Sequence, residues 1–236
     1  LSSFGLKAQT VNDLFEQRPS LSRNFSNIAS KYEALAINTQ KLTALKNESL
    51  QRLDLELPFE NKTLKLKLER ARITANNFVV TEALAGGGRR NVNYTGGIFY
   101  QGKIEGQKKS IATISIFNDR VMGVIADGES NIILGSIESS NGRPTSEYTI
   151  YRDENLKISN PFYCATPETP IEGQTPPANA IAHRTEAVGE PVDIYFECDF
   201  RFYQHKGSNT DNVINYVLGF FNNTALLYNN ENIKVQ

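Results

Sequence analysis

The amino-acid sequence predicts an α+β protein, with a mainly antiparallel β region first and the start of an α/β unit last. Three observations predict this class. Two segments on either side of residue 60 alternate strictly between leucine and polar residues, further strand-like segments extend to residue 151, and residues 192–236 have the pattern strand, helix, strand. A proline-rich stretch separates the regions, so we divide the chain into a β-rich domain (1–164), a linker (165–191) and an αβ segment (192–236).

A short helix is expected before the strands begin. Residues 11–46 have a mixed composition with some helical tendency. Thr39 could cap a helix there, because its hydroxyl can accept a hydrogen bond from a free backbone N–H of the first turn. That helix would carry Leu42 and Leu45 on one side.

The clearest local pattern is a pair of alternating segments around a polar turn. In the first segment Leu53, Leu55 and Leu57 alternate with acidic residues, and in the second the leucines at 64, 66 and 68 alternate with lysines. Successive side chains of a strand point to opposite faces, so each segment would place its leucines on one face and its charges on the other. The turn between them contains Pro58 and Asn61. This pattern predicts a β-hairpin with one solvated face.

Residues 97–151 contain five more strand-like segments. They are GIFYQGKIEG, SIATISIF, VMGVIA, IILGSIE and SEYTIYR. Short polar turns separate the first four, and the pair Asp127 and Gly128 is a strong signal for a tight turn. These segments predict an antiparallel meander.

The three consecutive glycines at 86–88 could form a phosphate-binding loop or an ordinary turn. A phosphate loop would need the pattern G-x-x-x-x-G-K-[ST] between a strand and a helix, and neither the pattern nor that context surrounds these glycines. We therefore interpret residues 86–88 as a turn.

The αβ segment has a different pattern from the β region. VDIYFECDF predicts a strand with Val192, Ile194, Phe196 and Cys198 on one face. SNTD at 208–211 resembles a capping box led by Ser208, and NIKVQ predicts a second strand. The apolar residues that recur at helical spacing between them are Val213, Val217, Phe220, Phe221, Ala225 and Tyr228. Together these elements predict a right-handed βαβ unit, which cannot cover both faces of its sheet and should therefore begin a larger α/β domain.

Two long stretches resemble, in the same order, parts of the reprolysin or adamalysin-type zinc metalloproteases, which are metzincins. LELPFENKTLKLKLERARI followed by FYQGKIEGQKKSIATISIFNDRVMGVIADGESNIILGSIE is similar to the prodomain of that family, and SEYTIYRDENL lies where the family has its last prodomain strand. Residues 192–236 look like the opening strand, first long helix and second strand of the family's catalytic domain. The resemblance covers most of the chain apart from its first few dozen residues and the linker.

The resemblance implies an inhibitory and folding-assisting prodomain of a secreted, extracellular zinc metalloendopeptidase, joined to the first piece of the protease domain. Active members carry H-E-x-x-H-x-x-G-x-x-H, in which three imidazoles bind zinc and a glutamate activates water. His183, in the linker, and His205, in a polar turn, lie in no such motif, and we interpret both as solvated residues. We therefore expect no catalytic residues and no bound zinc in this chain. Zinc would belong to the full-length parent, and the partners would be the parent's catalytic domain and its protein or peptide substrates.

The resemblance also gives Cys164 a candidate role. Latency in this family usually rests on a prodomain cysteine whose thiolate takes the open position on the catalytic zinc. Cys164, in NPFYCATPE at the end of the prodomain, lies about where that cysteine belongs, and it would bind metal only in the full-length zymogen. A disulfide with Cys198 and an inert buried thiol are the alternatives. We expect Cys198 to be a small apolar filler, because strand alternation places it on the face that packs into the protease core.

Charge and composition limit the remaining functions. The net charge is −1 and the isoelectric point is near 6.2, so there is no basic excess to bind nucleic acid. No apolar run approaches the roughly 20 residues of a membrane span. The N-x-[ST] matches at Asn24, Asn47, Asn61 and Asn93 carry little weight in a chain so rich in asparagine. The alternatives in other classes are a free-standing β-rich extracellular binding module and a hydrolase of unrecognised type, for which we find no nucleophile and base signature.

The linker predicts where the parent protein is processed. Zymogens of this family are cut between prodomain and protease, and exposed, extended segments are the usual sites of cleavage. Arg184 is the only lysine or arginine between Lys157 and Arg201, so we expect cleavage near Arg184. N-terminal sequencing of the mature parent should give a start between Arg184 and Val192. A start within the β region, or an uncleaved spacer, would contradict this.

Overall fold

A computed structural model describes residues 9–48, 50–157 and 191–236, and within these ranges the chain forms twelve strands and three α-helices. The strands are β1 (Gln9–Val11), β2 (Phe15–Arg18), β3 (Glu33–Ile37), β4 (Arg52–Phe59), β5 (Lys62–Ala71), β6 (Val80–Ala83), β7 (Arg89–Val92), β8 (Ile98–Ile104), β9 (Ile111–Ile116), β10 (Val121–Ala126), β11 (Asn131–Glu138) and β12 (Pro144–Arg152). The helices are α1 (Thr39–Glu48), α2 (Phe200–His205) and α3 (Thr210–Asn230). The chain is therefore rich in β structure with few helices, in agreement with the predicted class.

Ten of the described strands form one sheet in the order β1-β4-β5-β8-β9-β10-β11-β12-β3-β2. Its neighbouring strands are antiparallel, except that β1 runs parallel to β4. Strands β8 to β12 follow one another in both the chain and the sheet, which confirms the predicted meander. β6 and β7 form a separate hairpin, and the glycines at 86–88 lie in its turn, as predicted.

The predicted leucine hairpin consists of β4 and β5. Leu55 pairs with Leu66, and the leucines two residues to either side pair with each other in the same register. The leucines of β4 are buried, whereas the charged residues between them form ion pairs on the solvated face. In one such pair the Nζ of Lys65 lies 3.1 Å from the Oε1 of Glu56. A slip of one residue would bury these charges, so the alternation fixes the register.

One face of the ten-stranded sheet encloses the main apolar core. Its largest fully buried members include Leu14, Leu35, Leu53, Leu55, Leu57, Leu66, Leu68, Tyr100 and Tyr148. Helix α1 adds Leu42 and Leu45 to this core, as predicted. The cap is one residue earlier than predicted, since the side chain of Asn38, and not Thr39, accepts a hydrogen bond from the N–H of Lys41 at 3.1 Å. Thr39 is already inside the helix and therefore cannot act as the capping residue.

The sheet curls until distant strands meet, and Arg152 joins them. β2 lies at one end of the strand order, yet it contacts β4 near the other end. From the end of β12, Arg152 reaches Glu60 in the β4–β5 turn at 2.8 Å and Asp127 in the β10–β11 turn at 2.7 Å. The hydrogen bond from Arg152 lowers the pKa of Glu60. Burial alone would raise the pKa of Asp127, but the N–H groups of Ser130 and Glu129, together with Arg152, lower it.

The prediction of a strand at the start of the αβ segment, at residues 192–200, is wrong for most of that range. Val192 forms an isolated parallel bridge with Val235, and α2 already begins at Phe200. The Asp199 carboxylate accepts a hydrogen bond from the N–H of Phe202 at 2.6 Å, and this cap starts a helix at the last residue of the predicted strand. The parallel direction of the bridge agrees with the predicted βαβ arrangement.

The predicted long helix is confirmed as α3, but its N-cap residue is Asn209 and not the predicted Ser208. An N-cap residue has an extended backbone, whereas Ser208 has a φ of 51°, in the left-handed region. Asn209 is extended, and its side chain accepts a hydrogen bond from the N–H of Asn212 at 2.9 Å. Among the residues that the structure describes, no helix combines the length and the apolar character needed to cross a membrane.

We predict that Arg152→Met lowers the free energy of unfolding near neutral pH by about 1–3 kcal/mol, because the partly buried carboxylate of Asp127 would lose its cation. In the folded chain both carboxyls titrate below their ordinary values of 4.5 for Glu60 and 3.8 for Asp127. Their contribution is therefore present at neutral pH and is lost as the pH falls below about 4.5 through the folded pKa values.

Urea unfolding of the wild type and the variant, near neutral pH and in acid, tests this prediction. The difference in stability between the two proteins should shrink in acid. Lys65→Met is the control, since it breaks an exposed pair and should change stability by less than about 0.5 kcal/mol. Equal losses in both variants, or a difference that does not depend on pH, would contradict the role given to Arg152.

Candidate functional site

Helix α3 lies across the outer face of β8, β9 and β10 and joins the αβ segment to the β region. The buried apolar side chains of this contact are Ile73, Phe99, Phe117, Ile214, Leu218, Phe221, Ala225 and Val235. Gly219 lies on the same side of the helix, where a Cβ would come within 2.7 Å of the Sδ of Met122. The glycine therefore lets the helix backbone approach the sheet closely.

Asn222 is the most completely buried polar residue of the contact, with no exposed surface. Its Nδ2 donates to the Oγ of Ser115 at 3.0 Å and to the carbonyl oxygen of Tyr100 at 3.3 Å. Its Oδ1 accepts a hydrogen bond from the Nε2 of Gln101 at 3.1 Å. A buried amide is costly unless its donors and its acceptor are used, and here both are, so the contact is specific for asparagine at this position.

Arg120, in the β9–β10 turn, is a second buried polar anchor, with 2% of its surface exposed. Its guanidinium donates to the Oδ1 of Asn212 at 2.6 Å, and it lies 3.3 Å from Asp119 and 3.5 Å from Glu138. The Nζ of Lys206 lies 3.2 Å from the same Glu138 oxygen. The buried cation thus connects the sheet with the residues on both sides of the α2–α3 turn, and its charge is compensated.

Two further asparagines of α3 bond to the β region. The hydroxyl of Tyr94 donates to the Oδ1 of Asn215 at 2.7 Å, and burial raises the pKa of this tyrosine above its ordinary value. The hydroxyl of Thr113 on β9 donates to the side chain of Asn223. Asparagines on one side of α3 therefore meet polar groups over most of the length of the contact.

The β6–β7 hairpin binds the first turn of α3. Glu82 accepts a hydrogen bond from the hydroxyl of Thr210 and pairs with Arg90 at 2.6 Å. Both interactions lower the pKa of Glu82, and the hydrogen bond from Thr210 has the larger effect. A carboxylate near the N-terminus of a helix also interacts favourably with the helix dipole.

Two glycines bring the β11–β12 turn and the α2–α3 turn into backbone contact. Gly142 and Gly207 both have a positive φ, of 72° and 71°. A Cβ at Gly142 would lie 2.7 Å from the carbonyl oxygen of His205, and a Cβ at Gly207 would lie 2.4 Å from that of Asn141. Any other residue at either position would both strain the backbone and push the two turns apart.

The αβ segment also carries an exposed apolar surface. Nine of the thirteen exposed large hydrophobic side chains in the described structure belong to it, which is far more than its share of the residues. They are Val192, Ile194, Tyr195, Phe196, Phe200, Tyr216, Phe220, Leu227 and Tyr228. An excess of exposed apolar residues in one segment is a feature of surfaces that contact a partner.

The site residues proposed from the sequence are only partly within the structure. Cys164, His183 and Arg184 lie outside the described residues, so the three interpretations of Cys164 remain open. His205 is not in a turn but is the last residue of α2, and it is exposed. Its carbonyl oxygen lies against Gly142 in the contact between the two turns.

The expectation that Cys198 is a buried filler is wrong in this structure. Its thiol is free and the residue is exposed, like Ile194 and Phe196 on the same predicted face. Backbone hydrogen bonds hold this segment only at its start, where Val192 and Ile194 bond to residues 234 and 236, so it does not pack as a sheet strand. Partial burial, followed by the charge of Asp199, raises the pKa of the thiol.

Analysis of the sequence missed the asparagines of α3 and the buried Arg120. The helical pattern included Phe220 and Tyr228, but both are exposed. The available signal was the recurrence of Asn212, Asn215 and Asn222 on one side of an otherwise apolar helix. That recurrence indicates a polar contact, although it does not identify the partner.

Neither the described metal-binding side chains nor comparisons with known proteins add a function to this geometry. Within residues 9–48, 50–157 and 191–236, no group of three or more histidine, cysteine, aspartate or glutamate side chains could hold a metal ion. No protein-family model matches the chain, and no match was found among curated proteins. The contact of α3 with the sheet is therefore the candidate site on which a function can be argued.

We predict that Gly142→Ala destabilises the chain more than Gly106→Ala does. Gly106 has a φ of 78° but would place its Cβ in open space, so it carries the backbone strain alone, about 1–2 kcal/mol. Gly142→Ala adds the clash with His205, for which overpacking costs of about 1–3 kcal/mol are typical. Chemical unfolding of both variants measures the difference. Equal losses would contradict the close contact between the two turns.

Proposed function

We propose that this chain is the inhibitory and folding-assisting prodomain of a secreted zinc metalloendopeptidase, joined to the first part of the protease domain. The observation that carries the proposal is the environment of α3. The helix lies between two segments that bridge in parallel, at Val192 and Val235, while one of its sides packs on the β region. Parallel pairing around a helix is typical of an α/β domain, so the β region holds the element with which such a domain would begin.

The exposed apolar surface of the αβ segment supports the same proposal. Tyr216, Phe220 and Leu227 of α3 face away from the sheet and are exposed. The remaining part of a protease domain would cover these side chains as its own core forms. The helix would then be held between two partners, the prodomain on one side and the protease core on the other.

Assisted folding follows from the contact between α3 and the sheet. Helix α3 is rich in asparagine, which has a low intrinsic helix propensity, and most helical stability in proteins comes from tertiary packing. The β region gives α3 an apolar surface, and it gives the amides of Asn212 and Asn222 their partners. The helix would therefore be ordered and positioned before the rest of the protease domain packs against it.

Inhibition in this proposal uses Cys164 and the zinc of the parent protein. When bound, a catalytic zinc supplies a Lewis acid and a water of lowered pKa. The described residues of this chain do not provide a site for the metal, so its histidine ligands would come from the remainder of the parent. The part proposed for this chain is a single ligand, Cys164.

We predict that Cys164→Ala in the uncleaved full-length zymogen raises peptidase activity before any processing, by about tenfold or more, which corresponds to about 1.4 kcal/mol in the activation barrier. Cys198→Ala is the matched control. It removes the other cysteine of this chain, whose thiol is free in the structure, and should leave the activity of the uncleaved zymogen unchanged.

Activity of the two zymogen variants and of the 236-residue chain, with zinc supplied, tests the proposal. The chain alone should not cleave casein or generic peptides. An unchanged zymogen activity after Cys164→Ala would reject the cysteine switch. Zinc-dependent, chelator-sensitive proteolysis by the chain alone would contradict the assignment as a prodomain. A parent protein without an H-E-x-x-H helix would favour the free-standing binding module instead.

A further inference from the structure

We propose that the outer face of β8–β10, together with the β11–β12 turn, is a docking surface that holds α3 without a covalent connection, so that the β region and the αβ segment stay together after the chain between them is cut. The proposal rests on the proposed function and deepens it. Cleavage in the linker would not by itself release the prodomain, and activation would need a second step that separates α3 from the sheet.

The chemistry of the two sheet faces supports a separable contact. On the inner face, β8 and β9 carry Ile98, Tyr100, Ala112, Ile114 and Ile116, which belong to the main core. On the outer face, the same two strands carry both apolar side chains, Phe99 and Ile111, and the polar side chains of Gln101, Thr113 and Ser115. Water can hydrogen-bond these polar groups once the helix leaves, so the exposed sheet would remain soluble. Mixed polar and apolar composition of this kind is typical of interfaces between partners that also exist apart.

The polar contacts fix one register of the helix. They are spread from Asn212 near its start to Asn223, a span of about 16 Å at 1.5 Å per residue. A shift by one residue would remove Asn222 from Ser115 and leave a buried amide without partners. The surface therefore recognises a helix with asparagines at this spacing, and a merely amphipathic helix would bind less well.

The backbone contact between the two turns fixes the position of the N-terminal end of α3. Gly142 in the β11–β12 turn approaches the carbonyl of His205 and the N–H of Gly207. Next to this contact, Lys206 pairs with Glu138 on β11 at 3.2 Å and lies 4.0 Å from the ring centre of Tyr216. The docking surface thus has two parts. One binds the polar row of α3, which consists of Asn212, Asn215, Asn222 and Asn223, and the other fits closely against the N-terminal end of the helix.

The test uses the whole chain with a specific protease site substituted within residues 165–191. After complete cleavage, size-exclusion chromatography at decreasing concentrations measures whether the two pieces remain associated. The wild-type pieces should elute together at micromolar concentration. Asn222→Ala should weaken their association by about tenfold or more, which corresponds to about 1.4 kcal/mol.

Asn229→Ala is the control on the same helix. Asn229 is exposed, and both substitutions raise intrinsic helix propensity by the same amount, so a difference between them reports docking. Tyr94→Phe, which removes only the hydroxyl bonded to Asn215, is a milder second variant in case Asn222→Ala does not fold. It should weaken association severalfold, with little effect on the uncut chain.

Two results would overturn the proposal. Wild-type pieces that separate on cleavage at micromolar concentration would show that the covalent link, and not the surface, holds α3. Association that is equally strong in Asn222→Ala, Tyr94→Phe and Asn229→Ala would show that the polar row does not determine docking. Both readouts are independent of protease activity. The docking proposal can therefore be rejected while the cysteine switch of the full-length zymogen is supported, and the switch can be rejected while docking is supported.

Discussion

The position of α3 depends on one constraint, which is that the polar groups it covers on the sheet must keep hydrogen-bond partners. β8 and β9 present Gln101 and Ser115 outward, and burying them under a purely apolar helix would remove the side-chain partners that they have in α3. The side chains of Asn222 and Asn223 form hydrogen bonds with polar groups of these two strands. Every buried side-chain nitrogen and oxygen in the described structure has a hydrogen-bond partner, so the requirement is met throughout that part of the chain.

The curled sheet makes this arrangement possible. Because one face of all its strands is directed into the main core with α1, the other face is left for contacts, and its middle strands offer the broadest platform. The bonds from Arg152 to Glu60 and Asp127 connect the turns where the curl closes. Stability of the β region and the docking of α3 are therefore separable properties, carried by opposite faces of the same strands.

The parts of the fold that depend on local pattern could be predicted from the sequence. The leucines of β4 and β5 alternate with charges, and this alternation alone indicates both the strands and their buried face. The strand expected at VDIYFECDF could not be predicted correctly from local pattern. Its aromatic and branched residues favour an extended chain, but only Val192 and Ile194 form backbone hydrogen bonds with the second predicted strand, at residues 234 and 236. The burial of Arg120 could not be predicted either, because its partners Asn212 and Glu138 are distant from it and from each other in the sequence. The roles expected for Cys164 and Arg184 stay predictions.

The central claim is that the sheet orders α3 through the contact described above. Amide hydrogen exchange on the intact 236-residue chain tests this claim most directly. If the claim is correct, the amides of α3 around Asn222 will be protected as strongly as those of β8 and β9, and Asn222→Ala will remove protection from α3 while leaving the β4–β5 hairpin unchanged. Rapid exchange along α3 in the wild type, beside a protected sheet, would contradict it.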